Sequence, residues 1–143
     1  MELLLVSHKG AASGIKTAAA LIAGDEADSI HVIELTAEDG IDVFTKQLDA
    51  YLSGWLKDGR KGLILADLKG GTPYNRAEML LSEHHFKEQA KVISGLNLPM
   101  VLEALFQDIE EWSQEALEEM IAAGRDGIDC LELAQMQGGE EDE

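Results

Sequence analysis

Short apolar runs alternate along this chain with stretches in which apolar residues recur every three or four positions. Residues 2–6 (ELLLV) and 62–66 (GLILA) are almost wholly apolar, as strands buried on both faces are. Residues 29–35 (SIHVIEL) are rich in β-branched side chains and predict another strand, and 90–94 (AKVIS) a fourth. Helical patterns lie between them. Residues 12–23 bring Ile15, Ala18, Ala19 and Ile22 to one face, and Gly24 closes them. Residues 41–56 place Ile41, Phe44, Leu48, Leu52 and Trp55 on one stripe, with Asp39 as the expected N-cap. A helix is predicted from Pro73 to Ser82, because proline in a first turn lacks only an N–H that would have no partner there. Ala77, Leu80 and Leu81 form its buried side. Helical spacing returns over 99–106 and again from Ser113 to Ala123, where Gly124 is the expected stop. Residues 127–134 (GIDCLELA) read as a last strand.

This alternation predicts an α/β fold: a doubly wound, parallel, four-stranded sheet sandwiched by helices. In such sheets reactive groups collect at the carboxyl ends of the strands, near the point where strand order reverses. Residues 1–134 are expected to form one domain, and 135–143 an acidic, disordered tail.

Charge narrows the choice of partners. The 143 residues carry a formal charge of −17 with a pI near 4.4. That opposes binding to nucleic acid or anionic lipid, which needs clustered Lys and Arg. It serves solubility, and it also speeds encounter with a basic partner. The single cysteine, Cys130, allows no intrachain disulfide and is expected in the core. No apolar stretch approaches the ~20 residues of a membrane span, and the N-terminal run is too short for a signal peptide. A cytoplasmic location is expected.

Candidate chemistry lies where three strands end. The loops carry Ser7-His8-Lys9-Gly10, then Asp67 with Gly70-Gly71-Thr72-Pro73, then Gly95 with Asn97-Leu98-Pro99-Met100. A parallel sheet brings all three to one edge. Imidazole is a nucleophile near neutral pH, and a neighbouring carboxylate would hold one ring nitrogen as N–H and leave the other free. Asp67 is the candidate carboxylate. The glycines and the helix N-termini after His8 and Gly71 offer N–H groups to phosphate oxygens, and the Thr72 hydroxyl offers another donor. These are the needs of phosphoryl transfer. Each feature also has a plain structural reading: a histidine that packs, a tight Gly-Gly-Thr-Pro turn, Asp67 as a helix cap, Asn97 as a turn residue. His31 is explained by packing, and His84 and His85 by a helix C-terminus. No metal or nucleotide motif occurs, so no cofactor is expected.

At these loops the sequence resembles the mannose-class IIA family of the bacterial sugar phosphotransferase system. Ser7-His8, then Ala12 and Gly14, is similar to its Ser/Thr-His-Gly-x-x-Ala pattern. Asp67-Leu68-x-Gly70-Gly71-Thr72-Pro73-Tyr74-Asn75 resembles Asp-x-x-Gly-Gly-Ser/Thr-Pro-x-Asn, and Gly95-x-Asn97-Leu98-Pro99-Met100 follows with Glu103. The resemblance implies a phosphotransferase component that takes phosphate from HPr on Nε2 of His8. It would pass the group to a separate IIB component, serving uptake through IIC/IID membrane components. Asp67 would hold the other ring nitrogen, and Lys9, Gly10, Gly70, Gly71, Thr72 and Asn97 would bind or support the phosphate. Lys9 departs from the family's glycine and adds a cation that either anchors phosphate or alters partner choice. The resemblance also implies a homodimer whose C-terminal strand pairs with the partner's sheet.

Two other readings use the same fold. One is a IIA-like component of a dihydroxyacetone kinase phosphotransferase, which the Gly-Gly-Thr-Pro-x-Asn motif fits less well. The other is a regulatory module whose histidine edge binds a partner without being phosphorylated. A phosphoaspartyl receiver needs an acidic pair after its first strand, where this chain has Ser7-His8.

Overall fold

The computed structural model describes residues 2–107 and 112–132. Four strands form one parallel sheet: β1 (Leu3–His8), β2 (Ile30–Leu35), β3 (Gly62–Ala66) and β4 (Ala90–Ile93), in the order β2-β1-β3-β4. The chain passes outward from β1 to β2 and then returns across β1 to β3. Strand order thus reverses at β1 and β3, and a crevice opens between their carboxyl ends.

Five helices cover the sheet: α1 (Ala11–Ala23), α2 (Gly40–Trp55), α3 (Thr72–Glu83), α4 (Leu98–Phe106) and α5 (Gln114–Asp126). Alternate residues of each strand face opposite layers. Leu4, Val6, Ile64 and Ala66 pack with Phe44, Leu48 and Leu52 of α2 and with Ala77, Leu80 and Leu81 of α3. Leu3, Leu5, Leu63 and Leu65 pack instead with Ala12 and Ala19 of α1, Met100 and Val101 of α4 and Met120 of α5. Strands sealed on both faces have no polar side to show, which is why β1 and β3 are continuous apolar runs.

The predicted elements form close to where the patterning places them, with four differences. Asp39 stands at the N-cap of α2 but caps nothing with its side chain; its own N–H donates to Thr36 Oγ1 at 3.1 Å, making the turn the cap. Gly124 does not stop α5, which runs on to Asp126. A Cβ at Gly124 would lie 3.1 Å from Met100 Cε and 3.3 Å from Asn97 Nδ2, so the glycine is a close-approach position between α4 and α5. The last strand is absent from 127–132: no regular structure spans Ile128–Cys130, and residues 131–132 are helical. A strand exists only through a neighbour's ladder, and this segment pairs with no strand of its own chain. Consequently Cys130 is exposed, not core. Residues 133 and 134 and the acidic tail 135–143 lie outside the described residues.

Candidate functional site

His8 is the last residue of β1 and Asp67 follows β3, so the crevice brings together two residues 59 positions apart. Asp67 Oδ2 lies 2.9 Å from His8 Nδ1 and also accepts the His8 backbone N–H at 3.1 Å. A carboxylate only accepts, so Nδ1 carries the ring proton and Nε2 keeps its lone pair. The imidazole is half exposed, at 49%, while the Asp67 side chain is 18% exposed. The other carboxylate oxygen, Oδ1, is buried and accepts no hydrogen bond among the described residues. Among the described residues both side-chain hydrogen bonds to this half-buried carboxylate come from His8, an arrangement that would stabilise a positive charge on the ring.

The loop after Asp67 curls against the ring. Gly70 has φ +78°, a left-handed conformation that favours glycine. Its carbonyl accepts from Asn75 Nδ2 at 2.9 Å, so the asparagine of the second motif fastens the loop to α3. A Cβ at Gly71 would sit 3.3 Å from His8 Cε1 and 3.3 Å from the Leu68 carbonyl. The glycine lets the start of α3 approach the ring edge between its two nitrogens. Among the described residues no side chain caps α3; the Gly71 N–H donates to the Leu68 carbonyl at 3.0 Å and Pro73 has no N–H, so the other first-turn donors are the N–H groups of the half-buried Thr72 and of Tyr74.

On the other side of His8 the expected donors are already spent. Gly10 (φ +96°) opens α1, and its N–H donates to Glu34 Oε2 at 3.1 Å. The Ser13 N–H donates to the same oxygen at 2.8 Å, and the Ala12 N–H to Ser7 Oγ at 2.9 Å. Ser7, fully buried, donates its own hydroxyl to the His8 carbonyl at 2.7 Å. Burial pushes the Glu34 carboxyl up, but the hydrogen bonds from Ser13 and Gly10, assisted by the nearby Ala12 N–H, outweigh it and hold it below the usual range. Glu34 escaped the sequence reading. Its one signal is a lone carboxylate in a strand whose other residues are apolar except His31, at the position that the register sets beside Ser7.

Asn97 is likewise committed. Its Oδ1 accepts from the Met100 N–H at 3.0 Å, capping α4, and its Nδ2 donates to the Gly124 carbonyl at 3.1 Å. It fastens α4 to α5 with one amide N–H and its carbonyl oxygen. Lys9 is exposed, with Nζ 3.5 Å from Glu38 Oε1, a loose surface pair. A small apolar hollow of about 320 Å3, lined by Leu35, Thr36, Ala37, Gly40 and Ile41, adjoins His8. His31 lies away from the crevice, stacked on Tyr51 with centroids 4.1 Å apart. His84 reaches Asp49 of α2 at 2.7 Å, joining two helices.

The family model described as "PTS system fructose IIA component" matches residues 2–122. The sorbose-specific EIIA component of the phosphotransferase system of Lacticaseibacillus casei is 36% identical over 106 residues, 72% of this chain and 70% of that protein. The mannose-specific EIIAB component of Escherichia coli K12 is 26% identical over 139 residues; the match takes in 96% of this chain but 41% of that longer protein. Among solved structures, the mannose/sorbose-specific IIA subunit from Enterococcus faecalis superposes with a TM-score of 0.74 at 32% identity, over 91% of this chain and 93% of that one.

Proposed function

This chain belongs to the EIIA-man family of phosphotransferase-system IIA components, and on that footing we propose that it is a phosphohistidine carrier with His8 as acceptor. The observation that carries the reading is the 2.9 Å contact between His8 Nδ1 and Asp67 Oδ2. With the proton held on Nδ1, the Nε2 lone pair attacks the phosphorus of a phosphohistidine on HPr. The new N–P bond forms as the donor's N–P bond breaks, and the donor nitrogen keeps the electron pair. Asp67 stabilises the charge on the ring, and the uncapped start of α3, with Gly70, Gly71 and Thr72, receives the phosphoryl oxygens. Lys9 lies at the rim as a mobile cation for the same group. The onward step, to a IIB component serving IIC/IID membrane partners, is the same exchange reversed. A cytoplasmic location suits this role, and among the described residues no helix is long and apolar enough to cross a membrane.

Incubation with phosphoenolpyruvate, enzyme I and HPr tests the reading. A single acid-labile, base-stable phosphate per chain is expected, and His8→Ala abolishes it. Label that survives His8→Ala and disappears with Asp67→Ala would overturn the assignment.

We also infer a homodimer. Strand β4 is an open edge, and a groove of about 610 Å3 beside it is lined by Lys91–Gly95, Met100, Leu117, Ile121 and Ile128. Ile128 and Leu131 stand 79% and 72% exposed, apolar side chains without cover in one chain. Pairing of segment 127–134 with the β4 edge of a second copy would cover both. Sedimentation should give a dimer, and Ile128→Asp with Leu131→Asp a monomer; a dimer unmoved by that double change rules out this mode of assembly.

A further inference from the structure

Glu34 extends from the edge strand β2 to the start of α1, the helix that begins just after His8. A helix N-terminus is a ready anion site, because its first N–H groups point outward and its dipole favours negative charge. Here the chain's own carboxylate occupies that site, with both hydrogen bonds on Oε2 at 3.1 and 2.8 Å. The bonds lie within five residues of His8 in sequence, on Gly10 and Ser13. Across the ring, no side chain among the described residues caps α3, where the Gly71 N–H is met by the Leu68 carbonyl at 3.0 Å and the Thr72 and Tyr74 N–H groups carry no side-chain acceptor.

Resting on the reading of His8 as acceptor, we propose that Glu34 is a positioning residue of the transfer site: it fills the anion site of α1, so the phosphoryl group is held from the α3 side and stays transferable. A carrier must release what it accepts. Two helix N-termini closing on one phosphoryl group would stabilise the phosphorylated ground state, and whatever is not carried into the transition state slows the next transfer. A fixed carboxylate on the α1 side removes that second holder. Its negative charge also directs the phosphoryl dianion toward Thr72 at the start of α3. The same two hydrogen bonds pin the Lys9–Gly10 turn in a family position where Lys9 replaces glycine.

The test compares the full chain with Glu34→Ala and Glu34→Gln. Inorganic phosphate is titrated while the amide signals of Gly10 and Ser13 are followed by NMR. Each phosphorylated protein is then mixed with unphosphorylated HPr and the return of phosphate is timed. In Glu34→Ala, phosphate should shift both amides, where the wild type shows no shift. Its return rate should fall roughly 10-fold, while KM for unphosphorylated HPr moves less than about 2-fold, the split expected of ground-state stabilisation. Glu34→Gln keeps an oxygen to accept the two N–H groups and should lie between the others in both readouts. If Glu34→Ala does not fold, the same order between wild type and Glu34→Gln carries the test. A lower Tm with unchanged return rate and silent amides makes Glu34 a structural cap and overturns the proposal. A wild type that takes no label overturns the His8 reading and this proposal with it; a wild type that labels, with variants that match it, overturns the Glu34 proposal alone.

Discussion

Two helices begin beside His8, and their first turns are completed in opposite ways. The start of α1 is closed by Ser7 and Glu34, which accept the N–H groups of Ala12, Gly10 and Ser13. The start of α3 has no side-chain cap, and Gly71 brings it against the ring. Unmet helix donors normally cost stability, since a good N-cap contributes about 1 kcal/mol. The capped end therefore serves the fold, and under the proposed function the end without a side-chain cap is where stability is forgone for the phosphoryl group. The lesson is that a helix N-terminus near a reactive group is not by itself a ligand site. What occupies its donors decides.

Substitutions that strike the two sides separately can break this contrast. The largest effect is expected from Asp67→Asn, which keeps the shape but removes the charge that orients the ring. Phosphate uptake from HPr, followed by quench-flow, should slow by about 100-fold with the fold intact; an unchanged rate would remove Asp67 from the mechanism. Gly71→Ala comes next. The residue's backbone is extended, with φ −75° and ψ 166°, so alanine is not strained there, but its methyl meets His8 Cε1. Uptake should fall roughly 10-fold while Tm changes little, because the cost is steric and local to the ring. Thr72→Ala should cost a similar or smaller factor and Thr72→Ser should restore it, since one hydroxyl donor is at stake.

On the α1 side, stability should move instead. Gly10→Ala places a side chain at φ +96°, and chemical denaturation should show a loss of about 1–2 kcal/mol, with transfer less affected than by Gly71→Ala. The smallest effect is in pH dependence. The Glu34 carboxyl is held below its ordinary value, with burial opposing and the hydrogen bonds from Ser13 and Gly10, assisted by the nearby Ala12 N–H, prevailing. A carboxyl lowered in the folded state stabilises the fold above its unfolded pKa, and that contribution is lost as pH falls through the folded value. Urea midpoints of wild type and Glu34→Gln should thus converge on acidification below the usual carboxylate range. A gap that persists there would mean the charge is not what Glu34 contributes.

Much of this molecule is legible without coordinates. Leu3–Val6 and Gly62–Ala66 are apolar because both faces of their sheet are covered, so the run itself announces the layers. The stripe Phe44–Leu48–Leu52–Trp55 marks α2 because one helical face must be dry. His8 and Asp67 were readable as a pair once parallel strands were inferred, because topology alone sends both strand ends to one edge. Gly124 misled because a glycine after a helical pattern usually ends it, whereas this one exists for Met100 and Asn97 across the helix. Residues 127–132 misled because β-propensity needs a ladder that one chain does not supply there.

By itself, then, the sequence determined the layers, the order of the helices and of the four sheet strands along the chain and the meeting of His8 with Asp67, since these follow from local periodicity and a chirality rule. Only the tertiary structure decided which donors remain open. That Glu34 closes α1, that Asn97 bridges α4 and α5, and that Asp67 Oδ1 has no partner among the described residues depend on which polar atoms meet across elements. Hydrogen bonds are satisfied at distances of about 3 Å, a scale on which spacing along a chain carries no information.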